Sequence, residues 1–135
     1  MKKLISIIIP MYNEEESLPY LYDRLTKLAD KIENYNMEFL FVNDGSKDNS
    51  LNIVKAYKKS DERVCYLNLS RNFGKEVAMA AALDYVRGDV VAIIDADLQD
   101  PPELIIDMLK YYEEGYDDVY AKRKSRKRSE TRTLR

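Results

Sequence analysis

An α/β fold built on a mainly parallel sheet is what this 135-residue sequence predicts. Two observations point to it: short β-branched runs alternate with longer helical patterns, and a polar, turn-forming segment follows each of the first four runs. Strands are expected over residues 4–10, 37–42, 64–69, 89–94 and 117–120, with four helices between them. The first helix is predicted to start at Asn13 as a side-chain cap, with Glu16 three residues on completing a capping box. Leu18, Leu21, Leu25, Leu28 and Ile32 then form one apolar face. A second helix is expected over 48–59, and a third from Lys75 to a closing Gly88. The fourth has Pro101-Pro102 in its first turn and Gly115 beyond its last. One domain is expected over residues 1–121, followed by a basic segment over 122–135 whose composition suits a solvated, disordered end.

Composition removes several chemistries. The chain has no histidine and one cysteine, Cys65, so an intrachain disulfide, a thiolate cluster and a histidine base are all excluded. Acid, base and metal work then falls to carboxylates, and Cys65 reads as a small core residue. The apolar start, Leu4 to Ile9, is too short for a signal peptide and is stopped by Pro10, which makes it a buried first strand. Net charge is −2, but residues 122–135 carry +7 and residues 1–121 carry −9. An acidic body with no nucleic-acid motif argues against a nucleic-acid partner; the basic end suits phosphate or an anionic membrane surface.

In parallel α/β sheets ligands sit beyond the C-terminal ends of the strands, which selects residues 10–14, 43–46, 70–75 and 95–100. Asp95 and Asp97 stand on alternate residues where the apolar strand Val90 to Ile94 runs out. Carboxylates so placed repel each other unless a cation lies between them, and a hard divalent ion bridged to a diphosphate is the natural occupant. Asp100 suits the cap of the following helix instead. Tyr12 offers a flat face to a base, and Asp44 can accept from a base N–H or a ribose hydroxyl. The same loops are also good turn and cap sequences: Asn43-Asp44-Gly45-Ser46 is a turn pattern, and Asn13 a cap. No Gly-x-Gly-x-x-Gly follows the first strand and no P-loop occurs, so a diphosphate would be neutralised by a metal ion and by Arg71 or Lys75.

Four segments in this order, Ile7-Ile8-Ile9-Pro10-Met11-Tyr12-Asn13-Glu14, Val42-Asn43-Asp44-Gly45-Ser46-Lys47-Asp48, Leu69-Ser70-Arg71-Asn72-Phe73-Gly74-Lys75 and Asp95-Ala96-Asp97-Leu98-Gln99-Asp100-Pro101-Pro102-Glu103, resemble the family 2 glycosyltransferases. The nearest branch is that of dolichyl-phosphate mannose synthases and bacterial undecaprenyl-phosphate glycosyltransferases. The resemblance implies a Rossmann-like GT-A fold with helices on both faces of the sheet, and transfer of a sugar from a nucleoside diphosphate to polyprenyl phosphate with inversion. It implies that Pro10, Tyr12, Glu14, Val42, Asp44, Lys75, Asp95 and Ala96 meet the nucleotide sugar and that Asp95 and Asp97 are the catalytic carboxylates. It also implies that Asp97 and Gln99 hold Mg²⁺ or Mn²⁺, and that Arg123 and Arg126 meet the acceptor phosphate. A UDP-sugar is expected ahead of GDP-mannose on family frequency alone.

Members of this branch continue past the length seen here, with an acceptor-side segment and commonly C-terminal membrane helices. The resemblance therefore implies that this chain is the N-terminal, donor-binding part of a longer enzyme held at the cytoplasmic side of a membrane, with the general base beyond residue 135. Polysaccharide synthesis, decoration of a protein, and a non-catalytic nucleotide- and metal-binding module remain open as alternatives at this point.

Overall fold

In a computed structural model, residues 2–97, 101–115, 118–124 and 128–134 are described, the last two segments by their backbone. The chain divides into two compact units, Met1–Gln99 and Asp100–Arg135. The first holds β1 (Lys3–Met11), α1 (Leu18–Lys31), β2 (Tyr35–Asn43), α2 (Ser50–Ser60), β3 (Val64–Asn68), α3 (Lys75–Leu83) and β4 (Val90–Ile93). The second holds α4 (Leu104–Glu113), β5 (Asp118–Lys124) and β6 (Arg128–Leu134).

The four strands of the first unit are all parallel, in the order β3-β2-β1-β4. Ile5 through Met11 and Met37 through Asn43 are buried without a break, because β1 and β2 are paired on both edges and covered on both faces. At the sheet edges burial falls, and Val91 and Ile93 of β4 are exposed. The chain steps from β1 to β2 to β3 in one direction and then returns past β1 to β4. Right-handed crossovers therefore put α1 and α2 on one face and α3 on the other. On the α3 face, Ala78 and Ala82 pack on Ile8, Leu40 and Val42, with half-buried Cys65 beside them. Small alanines, four residues apart, let this helix sit close to the sheet. On α1, Leu18, Leu21, Leu25 and Leu28 are buried, each worth roughly 2 kcal/mol of apolar transfer.

Three expected helix ends differ from those observed. The first helix begins at Leu18 rather than after Asn13, because Asn13 is committed to a long-range contact described below and sits at φ +52. The third ends at Leu83 and is not closed by Gly88. Gly88 instead lets the backbone approach β1: a Cβ there would meet the Ser6 hydroxyl oxygen at 2.5 Å and its amide nitrogen at 2.6 Å. The Gly88 N–H donates to Ser6 Oγ (2.8 Å), Ser6 donates to Glu38, and Glu38 also accepts from the Arg87 amide and guanidinium. Burial pushes the Glu38 carboxyl up, but these donors outweigh it and hold it below its usual range. The fourth helix begins at Leu104, after a tight turn in which Pro101 and Pro102 accept from the amides of Leu104 and Ile105 (3.1 Å each). Gly115, at φ +102, follows its last turn as expected.

In the second unit, Ile105 and Leu109 are the buried residues of α4. The fifth strand is longer than predicted and pairs antiparallel with a sixth that the sequence reading did not include, in the register Tyr120 to Arg132 and Lys122 to Glu130. Asp100, expected as a cap, lies outside the described residues. Among those residues no helix is long and apolar enough to cross a membrane.

A polar clasp joins α1, α2 and the start of β3. The ring of Tyr22 stacks on Tyr57 at 4.0 Å, and its hydroxyl donates to Asp61 at 2.7 Å. Hydrogen bonds from the Arg63 guanidinium, opposed by burial and reinforced by Tyr22 and the Arg63 amide, hold the Asp61 carboxyl down at about 2. The folded value lies below the ordinary 3.8, so the stability it supplies is complete above that value and is lost as pH falls toward about 2. With Arg63 partly exposed, the contribution is about 1 kcal/mol. Asp61→Asn is expected to lower stability at neutral pH and to lose about 1 kcal/mol less than the parent on acidification from about pH 4 to about pH 2, read from urea melts across that range.

Candidate active site

The chain reverses its direction across the sheet at β1, whose two neighbours are β2 and β4. Such a switch point opens a crevice beyond the strand ends, because the crossover that leaves β1 and the one that enters β4 lie on opposite faces. A cleft of about 280 Å³ lies there, lined by Pro10, Met11, Tyr12, Glu14, Asp44, Lys75, Asp95, Ala96 and Asp97.

The cleft is held by side chains that bind backbone across loops. Asn13 Oδ1 accepts from the amides of Lys47 (2.8 Å) and Asp48 (3.3 Å), while its own amide donates to Ser46 Oγ (2.9 Å). The Glu14 amide donates to Ser50 Oγ and the Glu15 amide to Asp48 Oδ2. Burial alone raises Asp48, but the hydroxyl and amide of Ser50 and the Glu15 amide outweigh it and leave the carboxyl low. The loops after β1 and β2 are thus one stitched surface.

Asp44 extends the stitching to a third loop. It is buried, with 4% of its surface exposed; Oδ1 accepts from the Phe73 amide (2.7 Å) and Oδ2 from the Gly74 amide (3.0 Å). Each oxygen keeps a second lone pair for a ligand. Gly45, at φ +74, makes the approach possible: a Cβ there would stand 2.3 Å from the Asn72 amide nitrogen. Lys75 follows at the start of α3, and its ammonium pairs with Asp95 at the end of β4. Arg71 lies over the ring of Phe73, 4.7 Å from its centroid, and is not part of the cleft lining.

Four carboxylates and one ammonium give the lining a formal charge of −3. Glu14 registers the crowding. Its carboxyl is pushed up by burial first and by the charges of Asp97, Asp48 and Asp95 after that, against one lowering hydrogen bond from Ser17. A cleft this acidic cannot hold a diphosphate without more positive charge. Its oxygen donors suit a hard divalent cation. Among the described residues no three such side chains converge on one point.

The structure brings Pro10, Tyr12, Glu14, Asp44, Lys75, Asp95, Ala96 and Asp97 together around one cleft. It does not bring the side chain of Val42 there: that valine is fully buried in the core against α3. Gln99 and Arg126 lie outside the described residues, and Arg123 is placed by its backbone in β5. Sequence reasoning missed Met11, which lines the cleft, and Ser46, Asp48 and Ser50, which hold it. Met11 sits inside a segment already singled out; the stitching residues carry no signal that local turn chemistry does not also produce.

The model of the family described as "Glycosyl transferase family 2" matches residues 6–135. This chain belongs to that family. Among its relatives, the family 2 glycosyltransferase chain is 48% identical over 122 residues to the glycosyltransferase YkcC of Bacillus subtilis strain 168, covering 90% of this chain and 38% of that protein. It is 43% identical to the bactoprenol glucosyl transferase of Shigella phage SfV, covering 90% of this chain and 39% of that protein. The chain thus spans less than half the length of these relatives. Among solved structures, the mannosyltransferase PcManGT of Pyrobaculum calidifontis, in complex with GDP-Man and Mn²⁺, superposes with a TM-score of 0.74 at 20% identity, over 88% of this chain and 35% of that one. The S. aureus TarS 1–349 structure in complex with UDP gives 0.69 at 28% identity, over 88% and 34%. These likenesses make the fold GT-A.

The family 2 chain depends on Gly45 for the contact between its second and third loops. Gly45→Ala is expected to cost about 2 kcal/mol or more, from strain at positive φ and the clash with Asn72. Chemical denaturation checks the stability, and a crystal or NMR comparison checks whether residues 71–75 move.

Proposed function

We propose that this chain is the donor-binding part of a glycosyltransferase that moves glucose from UDP-glucose to a polyprenyl phosphate, with inversion, on the cytoplasmic side of a membrane. The observation that carries the reading is the acidic cleft at the β1/β4 switch point, where one lysine, a buried aspartate and the Asp95/Asp97 pair face one space. The bactoprenol glucosyl transferase relative at 43% identity supports the sugar and the acceptor, and the UDP complex of TarS at 28% supports the base.

Each residue has a task in this reading. Tyr12, two-fifths exposed at the rim, stacks on the base, and Asp44 uses its remaining lone pairs on a base or ribose donor. Asp97, with Gln99, holds a Mg²⁺ or Mn²⁺ ion, and Lys75 adds its charge beside the diphosphate. The ion supplies Lewis-acid stabilisation of the charge that collects on the leaving diphosphate. An acceptor phosphate oxygen bonds to the anomeric carbon as the bond from that carbon to the diphosphate oxygen breaks, and the electron pair departs with UDP. A phosphate monoester has its second pKa near about 6, so the attacking oxygen is already ionised at neutral pH and the step needs no strong base. Arg123 and Arg126 meet that acceptor phosphate, and the anionic bilayer surface attracts the basic segment around them.

Calorimetric titration with UDP, UDP-glucose and GDP-mannose, each with Mn²⁺ and with EDTA, tests the reading. UDP-glucose is expected to bind with Mn²⁺, and EDTA or Asp97→Ala to weaken it by about tenfold or more, the loss of one charged ligand contact. Binding of GDP-mannose in place of UDP-glucose would sink the assignment of the donor, and binding indifferent to both EDTA and Asp97→Ala would sink the metal site.

A further inference from the structure

The cation already present in the cleft has a place that a metal ion would contest. Lys75 pairs with Asp95, and the two side chains are 54% and 30% exposed, so the contact is open to solvent and to an entering ligand. We propose that Lys75 is a built-in counter-ion that partly neutralises the Asp95/Asp97 pair in place of the divalent cation, and that donor loading moves its ammonium from Asp95 onto the diphosphate. The inference rests on the proposed donor site and adds to it a competition between lysine and metal.

Three observations carry it. First, the lining holds four carboxylates against this one ammonium. Without Lys75 the lining would carry a formal charge of −4, and its ammonium reduces that to −3. Second, the base of the lysine is fixed while its head is not. Asp44 clamps the two preceding amides, Gly74 takes φ +102, and α3 begins at Lys75 itself, which sets the Cα. Four rotatable carbons then carry a compact ammonium that can swing without moving the backbone. Third, Asp95 is two residues from Asp97 at the end of β4, and both line the cleft, so a divalent ion engaging either carboxylate lies next to the ammonium and repels it. The diphosphate that arrives with the ion supplies the new anionic partner, at the N-terminal end of α3 where backbone amides also favour it.

A fixed structural tether between α3 and β4 would have the same geometry and the opposite consequence. If Lys75 competes with the metal, removing its charge tightens metal binding to the nucleotide-free protein and weakens nucleotide binding to the metal-loaded protein. If it is only a tether, removal weakens both.

The test uses Lys75→Met, which keeps the aliphatic stem, with Lys75→Arg to keep the charge and Lys47→Met to measure the unspecific effect of deleting a lysine from a neighbouring loop. Free Mn²⁺ is counted by electron paramagnetic resonance without nucleotide, and UDP binding is measured by calorimetry at saturating Mn²⁺. Lys75→Met is expected to bind Mn²⁺ about fivefold tighter or more, and UDP about tenfold weaker, magnitudes typical of coupled binding sites. Lys75→Arg should stay near the parent in Mn²⁺ affinity, and Lys47→Met should fall well short of Lys75→Met. Mn²⁺ affinity that is unchanged or weaker in a folded Lys75→Met, or that rises equally in Lys47→Met, overturns the proposal, as does the absence of Mn²⁺ binding in every form. Tighter Mn²⁺ with no UDP binding to the parent would keep the lysine–metal competition and overturn the nucleotide reading with the transfer of the ammonium to it.

Discussion

The parallel pairing of β1 on both of its edges is the constraint from which the rest of the first unit follows. A strand so enclosed is buried on both faces, and Ile5 to Met11 are buried in sequence, with Ser6 the one polar side chain among them and hydrogen-bonded. Since β2 and β4 leave β1 on opposite sides, their crossovers occupy opposite faces and a crevice must open where the two loops part. The cleft is therefore a product of strand order. Its residues are far apart in the chain because the order 3-2-1-4 brings together the ends of the first, second and fourth strands and the start of the third helix.

Backbone capture by side chains then makes the crevice a defined surface. Loops carry unpaired amides, and here Asn13, Asp44, Ser46, Asp48 and Ser50 supply acceptors across loops, Asp48 within its own loop as well. Asp44 has the largest share, since two charge-assisted bonds position Phe73 and Gly74 and through them Lys75. One carboxylate thus links the proposed base-binding side of the cleft to the proposed phosphate side.

The buried carboxylates show how environment separates structure from chemistry. Glu38, at the opposite end of the sheet, is surrounded by donors: the Ser6 hydroxyl, the Arg87 amide and a guanidinium. It is held below its ordinary range. Glu14 is raised, by burial first and then by the three carboxylates near it, against one intraloop hydroxyl. Crowded acids with few donors are under-neutralised in the folded state, and that is the electrostatic condition for attracting a cation. The same residue type therefore has its carboxyl lowered at one end of the strands and raised at the other.

Much of this was legible in the sequence. Strand positions follow from β-branched runs, and the four ligand-facing loops follow from the rule that parallel strands end at the site. Asn13 and Gly88 were misplaced for a common reason: their roles depend on partners distant in sequence. Asn13 has the composition of a cap and serves as a clasp on residues 47 and 48; Gly88 has the look of a helix stop and is a close approach to Ser6, 82 residues away. Val42 belongs to a ligand-facing motif, but its position in β2 sends its side chain to α3. The antiparallel pairing of β5 with β6 was missed because a run dominated by Lys, Arg, Ser and Thr has no apolar alternation to announce a strand. By itself the sequence determined the fold class, the four parallel strands and the acidic loops, since burial periodicity and turn chemistry are local. Only the tertiary structure decided which amides each carboxylate holds and that Lys75 meets Asp95, because a hydrogen bond or ion pair between distant segments exists only once strand order has placed them side by side.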